Sequence, residues 1–507
     1  MKKWFFIAIW TCLSLHQKSW SQIISAEKIE AMTDEKFVES AFNLRQFLTL
    51  PNDGNYPEQI ATNLAWCDSV FSSLKFKTQT IKTDGAPLLF AEKVYHKNRK
   101  SVLFYLQIDG QPVDTAKWFQ PNPFIPVLKE KKDWNWEVID FKKLNENIDL
   151  DWRIFARSAS DSKGPAMTLI SALQILQSKK IKPEYNIKVI MDFQEELGSP
   201  DLPKAVAQNR ELLDAEMLFI MDGTRHLSNL PTLTYGARGI ATATIKIFGP
   251  KYALHSGQYG NYAPNPVFEA SRLIASMKDE KGRVTIPGFY DGVQLTERDK
   301  ISLAAIPENL DSTLVNLGIA APDEVAPNYQ EALQYPSLNI RGLRSAWVEK
   351  EVRTIIPSEV IIEIDMRLVP ETPGERQVQL LKDHIGNFGY HLVDSVPTVE
   401  ERAKYPKLAS LTYRLGSQPF RTEMDSEIGE FLNGAMNIVF GNMLINMRTT
   451  GGSQPMAPFI KTLEIPAVSI RIPNPDNAIH GPNENLRLGN FKEGIMSCLA
   501  ILTKKLK

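Results

Sequence analysis

Two adjacent glutamates, Glu195 and Glu196, are candidates for metal binding or proton transfer. They follow an apolar run at residues 187–191, which predicts a buried strand with a loop at its carboxyl end. Open α/β sheets bind ligands at that end of their strands. Because successive side chains on extended backbone point to opposite sides, we predict that one glutamate binds a metal and the other moves a proton. A solvated acidic turn before Gly198 is the alternative.

Polar side chains also end two other predicted strands. Gln107 and Asp109 end the apolar run at residues 101–109, and as residues i and i+2 they face the same way. Asp222 ends the run at residues 217–222. One polar residue after a strand is typical of a loop, but a repeat at successive strand ends predicts a constructed site.

Two further candidate residues lie outside the predicted strands. Asp161 comes just before a helix predicted at residues 166–177, and Gly164 and Pro165 suit the start of that helix. A carboxylate is favourable at a helix N-terminus, so a simple cap is the alternative role for Asp161. His480 lies in a loop, and alone it is equally well an ordinary loop histidine.

Length and composition predict a globular protein with two domains. The chain has 507 residues, too many for one core, of which 43% are hydrophobic and 23% are charged. A formal net charge of −1 gives no reason to expect nucleic acid or an anionic membrane as a partner.

Residues 1–22 have the pattern of a secretory signal peptide. A short basic start, a brief apolar run and a polar segment predict cleavage near Ser21 or Gln22. We therefore expect an exported protein, periplasmic or secreted, with no membrane attachment after cleavage. A disulfide between the remaining cysteines, Cys67 and Cys498, is left open.

The rest of the chain divides into three segments. Residues 23–231 alternate strands and helices and include the strand-end carboxylates. Residues 232–400 combine β-rich segments with helices, which predicts an inserted α+β domain. Residues 401–507 return to the first pattern, so we expect them to complete the first domain.

Six motifs follow one another along the chain: D-x-K-G-P from Asp161, E-E-x-G-S from Glu195, the strand-end Asp222, H-S-G from His255, R-x-x-G-G-S-x-P from Arg448 and H-x-x-N-E from His480. Together they resemble the M20 metallopeptidase family. Residues 287–291, P-G-F-Y-D, are similar to a lid segment of its carnosinase-like dipeptidase branch. Six ordered motifs are a strong signal for fold and ancestry, although each alone is weak.

The resemblance implies a fold and an activity. It implies an α/β catalytic domain, with a mixed, mostly parallel sheet flanked by helices. The inserted α+β domain, an antiparallel sheet plus helices, would be a lid and a homodimer interface. The implied reaction is metal-dependent hydrolysis of dipeptides or short peptides at a free terminus, with two zinc ions per chain and a glutamate general base.

The resemblance also implies a role for each residue at the metals. Asp161 would bridge the two ions, and Asp222 would bind one of them. Glu196 and His480 would bind the other ion. Glu195 would be the general base that takes a proton from water and passes it to the leaving amine.

Four further residues would act on the substrate. His255 would come from the partner subunit to stabilise the developing oxyanion. Thr354, Arg367 and Ser453 would hold the substrate, Arg367 through the carboxylate of the peptide.

One motif departs from the family, because its first element, H-x-D, reads Gln107-Ile108-Asp109 here. The missing imidazole would be the third ligand of the ion that Asp161 and Asp222 hold. We predict that Asp109, which belongs to the implied catalytic set, accepts a hydrogen bond from the Gln107 amide nitrogen and turns the amide oxygen toward the metal. An amide oxygen is a harder and weaker ligand than imidazole, so Mn²⁺ or Co²⁺, or a single ion, is the alternative to two zinc ions.

The departures leave further alternatives open. Ser158 replaces a family glycine ahead of Asp161, and we expect it to affect the approach to that residue. His226 is an alternative ligand to Gln107. The alternative functions are an N-acyl amino acid amidohydrolase and a degenerate, non-catalytic homologue that binds peptide or metal.

Overall fold

The computed structural model describes residues 24–506, so the predicted signal peptide at residues 1–22 lies outside the described chain. No helix in this range is both long enough and apolar enough to span a membrane. Cys67 and Cys498 are buried free thiols, and no disulfide joins them.

The first part of the described chain runs to residue 237. Its helices are α1 (Ala26–Leu48), α2 (Pro57–Ser73), α3 (Lys163–Ser178), α4 (Leu202–Gln208) and α5 (Arg210–Leu213). Its strands are β1 (Lys77–Ile81), β2 (Leu88–Lys93), β3 (Ser101–Gln107), β4 (Val127–Lys132), β5 (Asn135–Ile139), β6 (Arg153–Phe155), β7 (Asn186–Asp192), β8 (Met217–Ile220), β9 (Thr232–Thr234) and β10 (Gly236–Ala237).

The middle part runs from residue 239 to residue 415. Its strands are β11 (Gly239–Phe248), β12 (Leu254–His255), β13 (Ser337–Arg344), β14 (Ile355–Ile356), β15 (Glu359–Leu368), β16 (His391–Leu392) and β17 (Leu408–Leu415). Its helices are α6 (Ser256–Tyr259), α7 (Pro266–Ala275), α8 (Glu297–Ala304), α9 (Leu310–Leu317), α10 (Tyr329–Ala332), α11 (Gly374–Asn387) and α12 (Val399–Lys404).

The last part completes the elements of the described chain. Its strands are β18 (Phe420–Arg421), β19 (Ile445–Met447), β20 (Ala467–Arg471) and β21 (Asn485–Arg487). Its helices are α13 (Glu427–Phe440), α14 (Ala457–Leu463) and α15 (Leu488–Thr503).

An eight-stranded sheet forms the centre of the larger domain, in the order β1-β2-β7-β3-β8-β20-β9-β19. Its central strands β7, β3, β8 and β20 are parallel, so their carboxyl ends meet at one edge. Side chains of β3 alternate between two cores: Phe104 packs with α1, α3 and α15, whereas Tyr105 packs with α4 and α14. Burial on both faces explains why these strands are continuous apolar runs in the sequence.

The inserted domain has its own five-stranded sheet, in the order β13-β15-β11-β17-β16. Its long strands are antiparallel, and only β16 pairs in parallel. Burial alternates along β11 and β15, because one face packs against α7 and α11. The predicted mixed, mostly parallel sheet with an inserted α+β domain is therefore confirmed.

The limits of the inserted sheet differ from the predicted boundaries at residues 232 and 400. β9 pairs with β20 and β19, so it belongs to the larger sheet. β17 pairs with β11, so the inserted sheet extends to Leu415. Strand pairing between residues far apart in sequence decides both limits, and a change in local composition does not record it.

Candidate metal centre

The carboxyl edge of the larger sheet collects the predicted residues. β7 leads into a 3₁₀ turn at Glu195–Leu197, and Asp222 comes two residues after β8. Gln107 ends β3, and Asp109 follows it. Parallel strands therefore bring together residues that are far apart in sequence, as predicted.

Asp161, Glu196 and His480 form a group that fits a divalent metal ion. His480 Nε2 lies 3.0 Å from Asp161 Oδ2 and 3.5 Å from Glu196 Oε2. One ligand atom from each residue lies within 4.8 Å of the other two. Glu196 Oε1 is buried and has no hydrogen-bond partner within residues 24–506, an expensive state that a cation would relieve. Two carboxylates and one imidazole are a donor set that suits zinc.

Burial and mutual contacts shift the pKa values of this group. Burial raises the pKa of Glu196 to about 8, and the Asp161 carboxylate adds to the rise. The hydrogen bond to Asp161 raises the pKa of His480 to about 9. Metal ligands must be ionised carboxylates and neutral imidazole, so binding of an ion here releases protons.

Gln111 is a neighbour of the metal group that the sequence did not indicate. Its Nε2 donates a hydrogen bond of 2.7 Å to Glu196 Oε2. This contact holds one oxygen of Glu196, while the other oxygen is the unpartnered Oε1. Gln111 therefore orients the Glu196 carboxylate.

Glu195 stands next to the metal group but outside it. Its carboxylate has no hydrogen-bond partner among residues 24–506, whereas Glu196 contacts His480 and Gln111. Burial raises the pKa of Glu195 well above its usual range, and the carboxylates of Asp222 and Asp161 add to the rise. A raised pKa and an unpaired carboxylate are what a general base needs.

The prediction that Glu195 and Glu196 point to opposite sides of an extended backbone is wrong. Glu195 and Glu196 lie in the 3₁₀ turn Glu195–Leu197 and not on extended backbone. The turn follows β7 directly and ends at Gly198, which has a left-handed φ of 81°. Their different surroundings come from this turn and not from strand alternation.

The predicted contact between Gln107 and Asp109 is also wrong. Asp109 Oδ1 accepts from the Glu195 backbone N–H at 3.0 Å, and Asp109 Oδ2 accepts from the Glu196 backbone N–H at 3.0 Å. Two neighbouring backbone N–H groups at the start of a helical turn suit a carboxylate better than one amide does. The Gln107 Nε2 is buried and has no partner in the described chain. Asp109 therefore positions the turn that carries both glutamates.

Asp222 lies close to Asp161 but is held by neutral donors. Ser162 Oγ lies 2.9 Å from Asp222 Oδ1 and 3.0 Å from Asp161 Oδ1. Gln454 Nε2 donates to Asp222 Oδ2 at 2.6 Å. Burial raises the pKa of Asp222, and the Asp161 carboxylate adds to the rise.

Glu484 positions Asp161, although the sequence analysis indicates no role for it beyond its place in the H-x-x-N-E motif. Its Oε1 accepts from the backbone N–H groups of Ser160 and Asp161, both at 2.9 Å. Its Oε2 accepts from Arg157 Nη1 at 2.7 Å and from the Ser158 N–H at 2.9 Å. Because this side chain is fully buried, it fixes the loop that presents Asp161.

Two of the open alternatives concern Ser158 and His226. Ser158 has a left-handed φ of 62°, a conformation that glycine favours, and its Oγ accepts from Asn52 Nδ2 at 2.9 Å. His226 Nδ1 lies 3.0 Å from Ser228 Oγ. The structure does not bring His226 into the metal group of the described chain.

The substrate-binding candidates form two separate pairs. Arg367 Nη1 donates to Ser453 Oγ at 3.1 Å, which joins β15 of the inserted domain to the G-G-S loop. His255 ends β12, Thr354 comes just before β14, which pairs with β12, and both residues are exposed. Within the described chain, neither contacts the metal group.

His255 has a defined orientation at the start of α6. The Gly257 backbone N–H donates to His255 Nδ1 at 3.0 Å. A neutral ring with Nδ1 as acceptor carries its proton on Nε2. His255 is exposed, so in this tautomer its Nε2 is a hydrogen-bond donor without a partner in the described chain.

Comparison with known proteins gives consistent matches over most of the chain. Residues 104–504 match the sequence model of peptidase family M20/M25/M40. A Cys-Gly metallodipeptidase of Schizosaccharomyces pombe is 25% identical over 495 residues, which cover 93% of this chain and 96% of that protein. A Beta-Ala-His dipeptidase of Homo sapiens is 26% identical over 420 residues, covering 80% of this chain and 75% of that protein.

Solved structures share the fold. An M20 family metallo-carboxypeptidase from Sulfolobus solfataricus superposes with a TM-score of 0.74 at 26% identity, covering 92% of this chain and 98% of that one. Human carnosine dipeptidase 1 superposes with a TM-score of 0.69 at 22% identity, covering 94% of this chain and 99% of that one. The second likeness concerns the fold alone.

Proposed function

Because this chain belongs to peptidase family M20/M25/M40, we propose that it is a metal-dependent exopeptidase that hydrolyses dipeptides or short peptides. The observation that carries the proposal is the group of Asp161, Glu196 and His480 beside the unpaired Glu195 carboxylate. Relatives that are named dipeptidases and align over most of this chain support the substrate class.

The residues of the centre divide the work of hydrolysis. Asp161, Glu196 and His480 would hold a divalent ion, for which we propose zinc. When bound, such an ion polarises a carbonyl group and makes water more acidic. The Glu195 carboxylate takes a proton from the attacking water and gives it to the leaving amine. Asp109 keeps Glu195 in place through the backbone of its turn.

We propose that Arg367 and Ser453 bind the carboxylate end of the peptide. Arg367 has no carboxylate partner among residues 24–506, and its guanidinium already contacts Ser453. Burial lowers the pKa of Arg238 to about 10, and the positive charge of Arg367 adds to the fall. Two neighbouring guanidinium groups favour an anion between them. Thr354 would contact the substrate from the inserted domain.

The first test separates the proposed activity from its alternatives. We expect the chelated protein to be inactive, and reloading with zinc, manganese or cobalt to restore release of amino acids from free dipeptides. Faster cleavage of N-acyl amino acids than of free dipeptides would favour an amidohydrolase. If no metal restores cleavage of either class, the enzymatic proposal fails, and a binding protein remains.

We further propose that the protein is a homodimer and that His255 acts in the partner's site. Its loop carries exposed aromatic residues, with Tyr252 at 68% and Tyr262 at 86% exposure, which suits an interface. His255 is exposed, and within the described chain no contact joins it to the metal group. A site completed by a partner subunit accounts for both observations.

Mixed dimers test the role of His255 across subunits. We expect His255→Ala and Glu195→Gln each to be nearly inactive, whereas co-expressed chains recover about a quarter of wild-type activity, since half of the dimers carry one intact site. As the control, co-expressed Glu195→Gln and Glu196→Gln chains should recover none, because in their mixed dimer each of the two sites carries one of the defects. No recovery in the first mixture, or a monomeric mass, would reject the arrangement.

We also propose that the protein is exported to the periplasm or secreted. The basic, apolar and polar segments of residues 1–22 support this location. The amino-terminal sequence of the mature protein and its distribution between cell fractions test it. A cytoplasmic protein that retains Met1 would contradict the proposal.

A further inference from the structure

The place where the family resemblance implies a second ion has donors that do not fit one. A second ion would need Asp222, a shared Asp161 oxygen and the imidazole that Gln107 replaces. The Gln107 side chain is buried, and its Nε2 has no hydrogen-bond partner in the described chain. An amide is a weak ligand for zinc, which prefers imidazole and thiolate.

Neutral hydrogen bonds already engage both oxygens of Asp222. Ser162 Oγ lies at Oδ1, and Gln454 Nε2 donates to Oδ2. Ser469 Oγ lies 3.2 Å from Gln454 Oε1, so the amide of Gln454 must turn its NH₂ group toward Asp222. A metal ion would compete with this satisfied network for the same carboxylate.

A buried arginine, Arg471, lies beside Asp222. β20 and β8 are parallel with Ser469 opposite Ile220, so the continuation of this register places Arg471 beside Asp222. A Cβ on Gly223 would lie 1.2 Å from Arg471 Nη1, so glycine at this position makes room for the guanidinium. Gly223 also has a left-handed φ of 91°.

The Arg471 guanidinium has hydrogen-bonding capacity to spare. Its Nε donates to Thr234 Oγ1 at 3.2 Å, but its Nη2 is buried with no partner within residues 24–506. Burial lowers the pKa of Arg471, and the carboxylates of Asp222 and Asp161 oppose that fall. Because arginine stays protonated in proteins, this charge is permanent.

A permanent cation next to Asp222 disfavours a divalent ion there. Like charges repel strongly where water is excluded, and the guanidinium already neutralises part of the Asp161 and Asp222 charge. His480 of the metal group contacts Asp161 Oδ2, whereas Ser162, which also contacts Asp222, lies at Asp161 Oδ1. One metal ion and Arg471 would then both supply positive charge to Asp161.

We propose that this centre binds one divalent ion, on Asp161, Glu196 and His480, and that Arg471 supplies the positive charge beside Asp222 in place of a second ion. The inference rests on the proposed function, because it concerns the same centre. It makes Arg471 a positioning residue, which acts on Asp222 and Asp161 by its charge.

Metal stoichiometry tests the proposal directly. The full-length mature protein would be loaded with excess zinc, passed through gel filtration and measured by native mass spectrometry and elemental analysis. We expect one zinc ion per chain. Two tightly bound ions per chain would overturn the proposal.

The Asp222→Asn variant distinguishes a centre with one ion from a centre with a second ion on Asp222. The substitution hardly changes the shape of the side chain. We expect the variant to keep one zinc ion when zinc is in excess, with an affinity reduced by at most about 10–100-fold, the range for a change next to a metal ligand. The matched change Glu196→Gln removes a ligand and should leave well under one ion per chain. Loss of the bound ion from Asp222→Asn would contradict the assignment of ligands.

Variants of Gln107 and Arg471 test the part played by the arginine. We expect Gln107→His alone still to bind one ion, because the guanidinium remains. Gln107→His combined with Arg471→Met should bind two, with circular dichroism confirming that the variant is folded. Two ions in Gln107→His alone would show that Arg471 does not exclude the second one.

Stoichiometry and activity are separate readouts. An active peptidase with two ions per chain would overturn the one-ion proposal and leave the proposed function standing. A protein with one ion per chain and no hydrolysis of any peptide would support the one-ion proposal and overturn the proposed function.

Discussion

Glu195→Gln is expected to lower kcat for dipeptide hydrolysis by about 10²–10⁴-fold, the range for loss of a general base. The amide keeps the shape of the side chain but cannot take a proton from water. Bound metal should be unchanged, because Glu195 lies outside the group of Asp161, Glu196 and His480. Steady-state kinetics on protein of measured metal content would show the change in kcat.

Glu196→Gln is the matched control for that variant, since it makes the same chemical change at the adjacent residue. It should lose metal, and added zinc should partly restore its activity. For Glu195→Gln, excess zinc should restore nothing. If Glu195→Gln keeps more than about a tenth of wild-type kcat, the assignment of Glu195 as the general base is wrong.

Glu484→Ala should have the largest effect on stability, lowering the free energy of unfolding by about 3–5 kcal/mol, as for a broken buried ion pair. The change leaves Arg157 buried without its carboxylate and removes the acceptor for three backbone N–H groups. Asp161 would lose its support, so metal affinity should fall as well. Chemical unfolding followed by circular dichroism, together with zinc titration, measures both effects.

Glu137→Ala is a suitable control, because it removes a carboxylate from an exposed ion pair with Lys132. Exposed pairs contribute little, so its unfolding transition should match that of the wild type. If Glu484→Ala unfolds like Glu137→Ala and binds zinc normally, then Glu484 does not hold the loop of Asp161.

The position of the site was predictable because the central strands are buried on both faces. Such strands are apolar runs with a clear end, and in a parallel arrangement these ends share one edge of the sheet. Glu196 and Asp222 could therefore be placed near each other from the sequence. The ordered motifs added His480, whose loop has no pattern of its own.

The contacts within the site were less predictable, because they depend on backbone geometry that residue types do not reveal. The turn at Glu195–Leu197 presents two N–H groups to Asp109, and this decides the partner of that carboxylate. Glu484 is more than 300 residues from the loop that it supports, so no local pattern links them. Its complete burial and its contacts with Arg157 and three backbone N–H groups show that it is not a surface acid.

The role of Arg471 becomes clear only together with Gln107, which stands where the family motif has histidine. In the sequence, Gln107 is the visible departure from the family, and none of the six motifs includes Arg471. The structure places the arginine beside Asp222 and packs it against Gly223. Glutamine at position 107 and the buried Arg471 beside Asp222 then have one explanation: the positive charge of Arg471 takes the place of a second metal ion.

Assay of zinc-loaded wild-type and Glu195→Gln proteins on an unprotected dipeptide is the most direct test of the proposed function. We predict that the wild type releases both amino acids in proportion to its bound zinc, and that Glu195→Gln, with the same zinc content, releases almost none. No release by the zinc-loaded wild type, or equal release by the two proteins, would contradict a metal-dependent dipeptidase with Glu195 as its base.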